Sequence, residues 1–289
     1  MFKILPCLDS AEMAASRKNE LDIPRSIALE LGKSAVLAAK TGEYIDADDQ
    51  PVDWGQQVQR SCAATVSIPP DAPLPSHKNI QYSETQIQVT NETTFVAAKR
   101  LINNGSKPLA LNFANGVAPG GGFLHGAKAQ EEVLCRSSAL YLTLVGDPMY
   151  RDHSRRYESD STDWTIYSPN VPVFRTDAGA PLEQPWLLSF LTCAAPYAPT
   201  VGQPKSGTLL QQRIYRILDI ARAYGYETLI LGAWGCGAFG NDTWKTARDF
   251  RQALETEFTG AFSEIVFAIT DWSPERKFLG PFLETFKSE

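Results

Sequence analysis

Residues 111–141 read LNFANGVAPGGGFLHGAKAQEEVLCRSSALY, and the rest of the chain is organised around them. The apolar entry Leu109–Phe113 has the composition of a buried strand. It runs into a loop ending in Gly120, Gly121 and Gly122. After seven intervening residues come Gln130, Glu131 and Glu132, at the head of a helix-like segment that reaches about Leu142. Glycine lacks a Cβ, so consecutive glycines let a backbone approach a ligand closely or take φ > 0. Their N–H groups can converge into a concavity for an anion. Two carboxylates beside such a loop are unfavourable unless the site uses them, so this stretch is the expected seat of chemistry.

Upstream, Ile23-Pro24 predicts a helix start near Arg25, with Ile27, Leu31, Ala35, Leu37 and Ala38 as its apolar stripe toward Thr41. Pro69, Pro70, Pro73 and Pro75 predict a linker or extended wrap over 66–78. Residues 1–78 are thus expected to be an N-terminal helical extension and Pro-rich linker, either a buttress on the core or an arm for a partner. Residues 79–289 are expected to form one α/β domain. Within it, Ile80–Thr90 alternates like a strand or hairpin, and Asn91 can cap a helix to about Asn103.

Downstream, Met149–Thr162 is charged and reads as a loop, and Trp164–Tyr167 and Val171–Phe174 as short strands. Leu187–Ala195, Thr228–Gly232 and Glu264–Thr270 read as further strands, with helices over Leu209–Tyr224 and Thr243–Phe258. Strands alternating with helices predict an α/β sheet covered on both faces. In such sheets ligands bind beyond the carboxyl ends of the strands. Both glycine-rich loops follow strands, which puts them on one rim.

Composition narrows the function classes. Net charge is −6 and pI about 5.3, so no basic face is available to hold long nucleic acid by its backbone. Arg17–Lys18 and Arg155–Arg156 are isolated pairs that read as solvated surface. The five cysteines, at 7, 62, 135, 193 and 236, are odd in number and far apart, which argues against a disulfide framework or a zinc site. Reduced thiols suit the cytoplasm, or a nucleus where one exists. His77, His125 and His153 are too scattered for a local metal cluster, and no metal or cofactor is expected. Met1–Leu8 is too short for a signal peptide, and no apolar run approaches the ~20 residues that span a bilayer. The expectation is a soluble monomer without a membrane partner.

The second loop, Trp234-Gly235-Cys236-Gly237-Ala238-Phe239-Gly240-Asn241, stands between a strand and a helix. Amides at such a junction form a diphosphate cradle. It is neither a dinucleotide fingerprint nor a P-loop, and a tight structural turn would look the same. Cys236 has no histidine nearby in sequence to serve as its base, so its backbone is the part expected to matter. Asn112 and Asn115 can each bond their own turn. Gln130 can fix the loop or a sugar. Glu131 and Glu132 point roughly 100° apart on a helix, so one should be an acid and the other a positioning group. A helix N-terminus favours the carboxylate, whereas burial and a nearby diphosphate favour the acid. Acidic residues in a first helical turn are also common for dipole reasons alone.

A glycine triplet followed, a short spacer later, by Gln-Glu-Glu resembles the signature of the microbial-type poly(ADP-ribose) glycohydrolases. The resemblance continues through Ile166–Arg175 (IYSPNVPVFR), Phe190–Pro196 (FLTCAAP) and Leu231–Asn241 (LGAWGCGAFGN), and covers roughly residues 20–286. It implies a macrodomain-like mixed sheet flanked by helices. It also implies metal-independent hydrolysis of ribose–ribose O-glycosidic bonds, mainly from the chain end, releasing ADP-ribose. By the same resemblance Glu132 is the catalytic acid/base and Glu131 binds ribose hydroxyls. Asn115 contacts the distal ribose, Phe239 packs against the ribose nearest the cleaved bond, and Gly120–Gly122 with Gly235–Asn241 surround the diphosphate. For the adenine, Asp271 and Trp272 or residues 91–94 are candidates. Two other readings stay open: a reader that binds ADP-ribose without turnover, and a hydrolase that removes single ADP-ribose units from protein or nucleic acid.

Overall fold

The computed structural model describes residues 1–76 and 80–287. The strands are β1 (Phe2–Ile4), β2 (Glu43–Ile45), β3 (Pro51–Asp53), β4 (Val66–Ile68), β5 (Thr85–Thr90), β6 (Pro108–Ala114), β7 (Thr165–Arg175), β8 (Pro181–Ala194), β9 (Thr228–Leu231) and β10 (Glu264–Ala268). The helices are α1 (Ala11–Leu21), α2 (Arg25–Thr41), α3 (Gly55–Ala64), α4 (Thr94–Asn103), α5 (Gln130–Ser137), α6 (Leu140–Leu144), α7 (Pro148–His153), α8 (Ala198–Val201), α9 (Lys205–Ala223), α10 (Thr243–Glu255) and α11 (Leu279–Thr285).

Eight strands form one sheet in the order β1-β5-β10-β9-β6-β8-β7-β4. Pairing is parallel from β1 through β8 and antiparallel across β8-β7-β4. Strands β2 and β3 make a separate hairpin. The central strands read as continuous apolar runs because both of their faces are covered. Alternation then sorts their side chains. Leu109, Leu111, Leu229, Leu231, Ile265 and Phe267 face a core built with α9, α10 and α11. Ala110, Ile230, Val266 and Ala268 face the opposite core, under α2 to α6.

The first 76 residues hold three helices and also both sheet edges. Strand β1 pairs with β5 at one end, and β4 pairs with β7 at the other. The expected boundary at 78/79 lies outside the described residues. Part of the expected linker, Val66–Ile68, is an edge strand. On α2 only Ala35 and Ala38 of the expected apolar stripe are buried. Ile27 and Leu37 are 49% and 63% exposed, while Ala28, Gly32, Ala35, Ala38 and Ala39 face inward. The reason is close approach: a Cβ on Gly32 would stand 2.7 Å from the carbonyl oxygen of Phe123.

Other elements differ locally. Residues 148–153 are helical, with Asp147 accepting from the Met149 amide and Pro148 in the first turn. The helix after the acidic pair stops at Ser138, which is extended and bridges to Val173, and α6 follows. The two short strands at 164–174 are one bulged strand, with the register shift between Ser168 and Val171 and Asn170 at φ +50°. Thr93, rather than Asn91, caps α4 by accepting from the Val96 amide. Among the described residues no helix is long and apolar enough to cross a membrane.

Candidate active site

The loops after β5, β10, β9, β6 and β8 meet on one rim, as parallel topology requires. They enclose a cleft of about 330 Å³ whose wall includes Glu131, Glu132, Asn115, Phe239 and Trp272.

Helix α5 brings the acidic pair to this wall. No side chain caps its N-terminus at Ala129; instead the neighbouring loop closes on the glutamates. The Asn115 amide donates to Glu131 Oε2 at 2.7 Å, and the Gly122 amide donates to Glu132 Oε1 at 2.9 Å. Gly121, at φ +57°, passes so near that a Cβ would stand 2.4 Å from Glu132 Oε1 and 2.9 Å from Glu131 Oε2. Both carboxylates therefore press on one glycine despite their divergent directions on the helix. Both are buried, at 3% and 8% exposure. Burial, then the charge of Glu132, pushes Glu131 up to about 8, against the amides of Asn115 and Gly120 and the Asn112 side chain. Glu132 Oε2 is buried with no hydrogen-bond partner among the described residues.

This geometry gives the glycine triplet a different position from the one expected. Gly120–Gly122 do not line the cleft. The Gly121 amide donates to the Ala118 carbonyl at 2.9 Å, and those of Gly120 and Gly122 face Glu131 and Glu132. The triplet is a clasp on the carboxylates. Gln130 is likewise occupied: its Oε1 accepts from the Phe113 amide, and its Nε2 donates to Thr94 Oγ1 and the Leu111 carbonyl. It locks α5 to β6. Asn115 Oδ1 accepts from the amides of Val117 and Ala118, which forms the turn, while the residue itself stays on the cleft wall. Asn112, fully buried, sends Nδ2 to Glu131 Oε1 at 3.4 Å and to Thr192 Oγ1 at 3.2 Å; its role beside the acid pair was not legible from sequence.

In the second loop, Gly235, Gly237, Ala238 and Phe239 face the cleft. Among the described residues no acceptor bonds their amides. Gly235 has φ +74°, and a Cβ there would stand 2.7 Å from the Ala195 Cβ. Gly240 and Asn241 sit behind the loop. Asn241 accepts from Ser206 Oγ and donates to the carbonyls of Pro196 and Gly235, stapling the loop to β8 and α9. Cys236 is off the wall and buried, and burial pushes its thiol up to about 11. Phe239 meets Tyr197 edge-on at 5.7 Å between centroids. Tyr197 stands one residue past the FLTCAAP block and was missed for that reason.

At the other end of the cleft stand Glu92, Thr93, Trp272 and Phe278. Asp271 is not on this wall. Its carboxylate accepts from Ser273 N and Oγ and from the amides of Phe278 and Leu279, at 2.7–3.0 Å. Burial works against the charge of Asp271, but these bonds hold its carboxyl below the usual range. It shapes the loop that carries Trp272 and Phe278. Asp177, another residue with no sequence signal, does reach the wall. It accepts from Thr93 Oγ1 at 2.7 Å, and burial, with Glu20 adding to it, pushes it up to about 6.

Sheet order, rim loops and cleft together define a macrodomain-like α/β protein. A family model described as "Microbial-type PARG, catalytic domain" matches residues 32–176. The crystal structure of poly(ADP-ribose) glycohydrolase from Thermomonospora curvata is 36% identical, covers 90% of this chain and 99% of its own, and superposes with TM-score 0.83. The same enzyme bound to the inhibitor ADP-HPD gives TM-score 0.82. The enzyme from Deinococcus radiodurans in complex with ADP-ribose is 38% identical over 78% of this chain and 95% of its own, with TM-score 0.71. No curated protein matched the sequence. The chain belongs to the microbial-type poly(ADP-ribose) glycohydrolase family.

Proposed function

We propose that this chain hydrolyses the ribose–ribose bond at the end of poly(ADP-ribose) and releases ADP-ribose, with Glu132 as the acid/base. The observation that carries this is the state of the Glu132 carboxylate: one oxygen is pinned by the Gly122 amide, and the other is buried at the cleft without a partner among the described residues. A carboxylate held by one oxygen has the other in a defined place for proton transfer. The family's solved complexes with ADP-ribose and ADP-HPD support a ligand of this class.

The free amides of Gly235, Gly237, Ala238 and Phe239 would hold the diphosphate, with the Phe239 ring and Asn115 at the distal ribose. The base would lie between Trp272, Phe278 and the Glu92–Thr93 turn. Glu132 donates its proton to the departing ribose oxygen as the C–O bond breaks, and the remaining sugar becomes oxocarbenium-like. Glu132, now a carboxylate, takes a proton from water as that water adds to the sugar. Glu131 stays largely neutral below about pH 8, so it adds little like charge beside Glu132. Four amides and a cleft sized for one unit need no basic track, which fits an acidic chain acting at the polymer end.

The test is product analysis on automodified polymer and on a singly ADP-ribosylated protein, with EDTA present, for wild type and Glu132→Gln. ADP-ribose from polymer, in wild type alone, is expected. Saturable ADP-ribose binding without product from wild type would make the chain a reader. Release from the singly modified protein would move the activity to that bond.

A further inference from the structure

Beyond the cleft, the sheet order continues past the acid pair. Following the rim from the base end, the loops come after β5, β10, β9, β6 and β8, and next stands the segment 152–162 that leads into β7. In the pose proposed above, with the base at β5 and β10 and the distal ribose at Asn115 and Phe239, this segment lies on the side toward which the departing part of the substrate extends. It is tied to the site at two points. The Tyr197 amide donates to the Ser159 carbonyl at 2.9 Å, and Tyr197 packs on Phe239. His153 accepts at Nε2 from the Thr162 amide, which leaves Nδ1–H to donate to the Gly116 carbonyl at 3.1 Å, one residue from Asn115.

The segment is held firmly yet presents an unusual surface. Arg156 makes a two-pronged bond to Asp160, with both distances 2.6 Å. Arg213 donates to the Asp160 carbonyl, and Lys205 pairs with Glu158. Held out from this frame is Tyr157, fully exposed at 104%. It shares a second hollow, of about 520 Å³, with Arg155 and Asp152. Arg156, Glu158 and Asp160 line it as well, and with those three paired the segment's remaining charges, Arg155 and Asp152, balance. A well-anchored loop that keeps in water an aromatic ring and a guanidinium without an ion pair among the described residues matches one ligand chemistry. A ring stacks on a nucleobase of any kind, and a guanidinium matches phosphate oxygens.

We propose that Tyr157 and Arg155 form a subsite for the next nucleotide unit of the polymer, the one that remains after cleavage. Tyr157 stacks on its base and Arg155 contacts its diphosphate. The proposal rests on the polymer reading above, since a single ADP-ribose has no such unit. It assigns the enzyme a means of telling polymer from a lone terminal unit.

The experiment uses the full chain carrying Glu132→Gln, so that polymer is bound without turnover. Affinities for polymer and for free ADP-ribose are compared with and without Tyr157→Ala and Arg155→Ala, and with Tyr157→Phe. Both alanine variants are expected to weaken polymer binding roughly ten-fold, within the range for losing one stacked base. ADP-ribose affinity and melting temperature should stay unchanged, and Tyr157→Phe should restore polymer binding. Unchanged polymer affinity would overturn the proposal. Equal losses for polymer and ADP-ribose would also overturn it, by moving the effect into the first cleft. A wild type that binds polymer but releases no ADP-ribose would defeat the proposed activity instead, and leaves this comparison intact.

Discussion

Glu131→Gln should make the protein more stable and less active, and the gain should depend on pH in a set direction. The Glu131 carboxyl is raised from 4.5 to about 8, with burial as the first cause. A raised value means that the native state binds this proton more tightly than the unfolded chain does. Wild type therefore carries no penalty below about pH 4.5, and loses stability as pH climbs from there to about 8. At about 1.4 kcal/mol per pH unit, the loss is of order 3 kcal/mol at pH 7 and 5 kcal/mol at full ionisation. Glutamine keeps the shape and removes the charge. Its oxygen can still accept the Asn115 amide, and its NH2 would face the Asn112 side-chain amide, which must turn over to present Oδ1 in place of Nδ2. Urea denaturation of both proteins at pH 5 and pH 8 is the assay. The variant should be nearly equal to wild type at pH 5 and ahead by several kcal/mol at pH 8, with ADP-ribose release reduced at both. A stability difference that is the same at the two pH values would refute the reasoning.

Gly121→Ala places a Cβ 2.4 Å from Glu132 Oε1 at a backbone φ of +57°, so turnover should fall by about ten-fold or more; wild-type kcat would show that the clasp can give way. Asp271→Ala removes the acceptor of four bonds and should cost about 2–4 kcal/mol of stability, with weaker ADP-ribose binding through the loosened Phe278 wall; calorimetry reads both. Cys236→Ala should retain full activity, and thiol alkylation at pH 7 should not inhibit, because burial holds that thiol near 11; inhibition that disappears in the variant would contradict this.

The parts of the fold that could be read from the chain are those in which one physical demand dominates. Strands β6, β9 and β10 are buried on both faces, so their runs are apolar with Asn112 as the one interior polar residue, and each opens into a loop at the rim. Helix α2 could be located but not oriented. Its inward face is chosen by how near Phe123 comes, which selects glycine and alanine over the larger residues that a hydrophobic pattern highlights. Helix α7 is charged and short, and only its Asp147-Pro148 start announces it. In the site, the carboxylates and both glycine loops were legible because their residue types are uncommon in that pattern. What each atom does was not. Gly122 serves Glu132, Gln130 serves β6, and Asp271 serves its own loop through contacts that link distant or aperiodic positions. Asp177 and Tyr197 reach the cleft region from a hairpin turn and from the residue after a proline, neither of which carries a pattern.

The two edge strands have a consequence for how the chain is made. Strand β1 leaves the ribosome well before its neighbour β5, which begins some eighty residues later, at Thr85, and β5 is flanked on its other side by β10, which ends at Ala268. Strand β4 must likewise wait for β7, about a hundred residues on. Assembly of the sheet cannot be completed from the N-terminus forward, and with so many distant pairings, folding should be slow. The nascent chain carries its two sheet-sealing segments unpaired until those partners emerge. At three residues each they offer little template for pairing with other chains, which makes that wait tolerable.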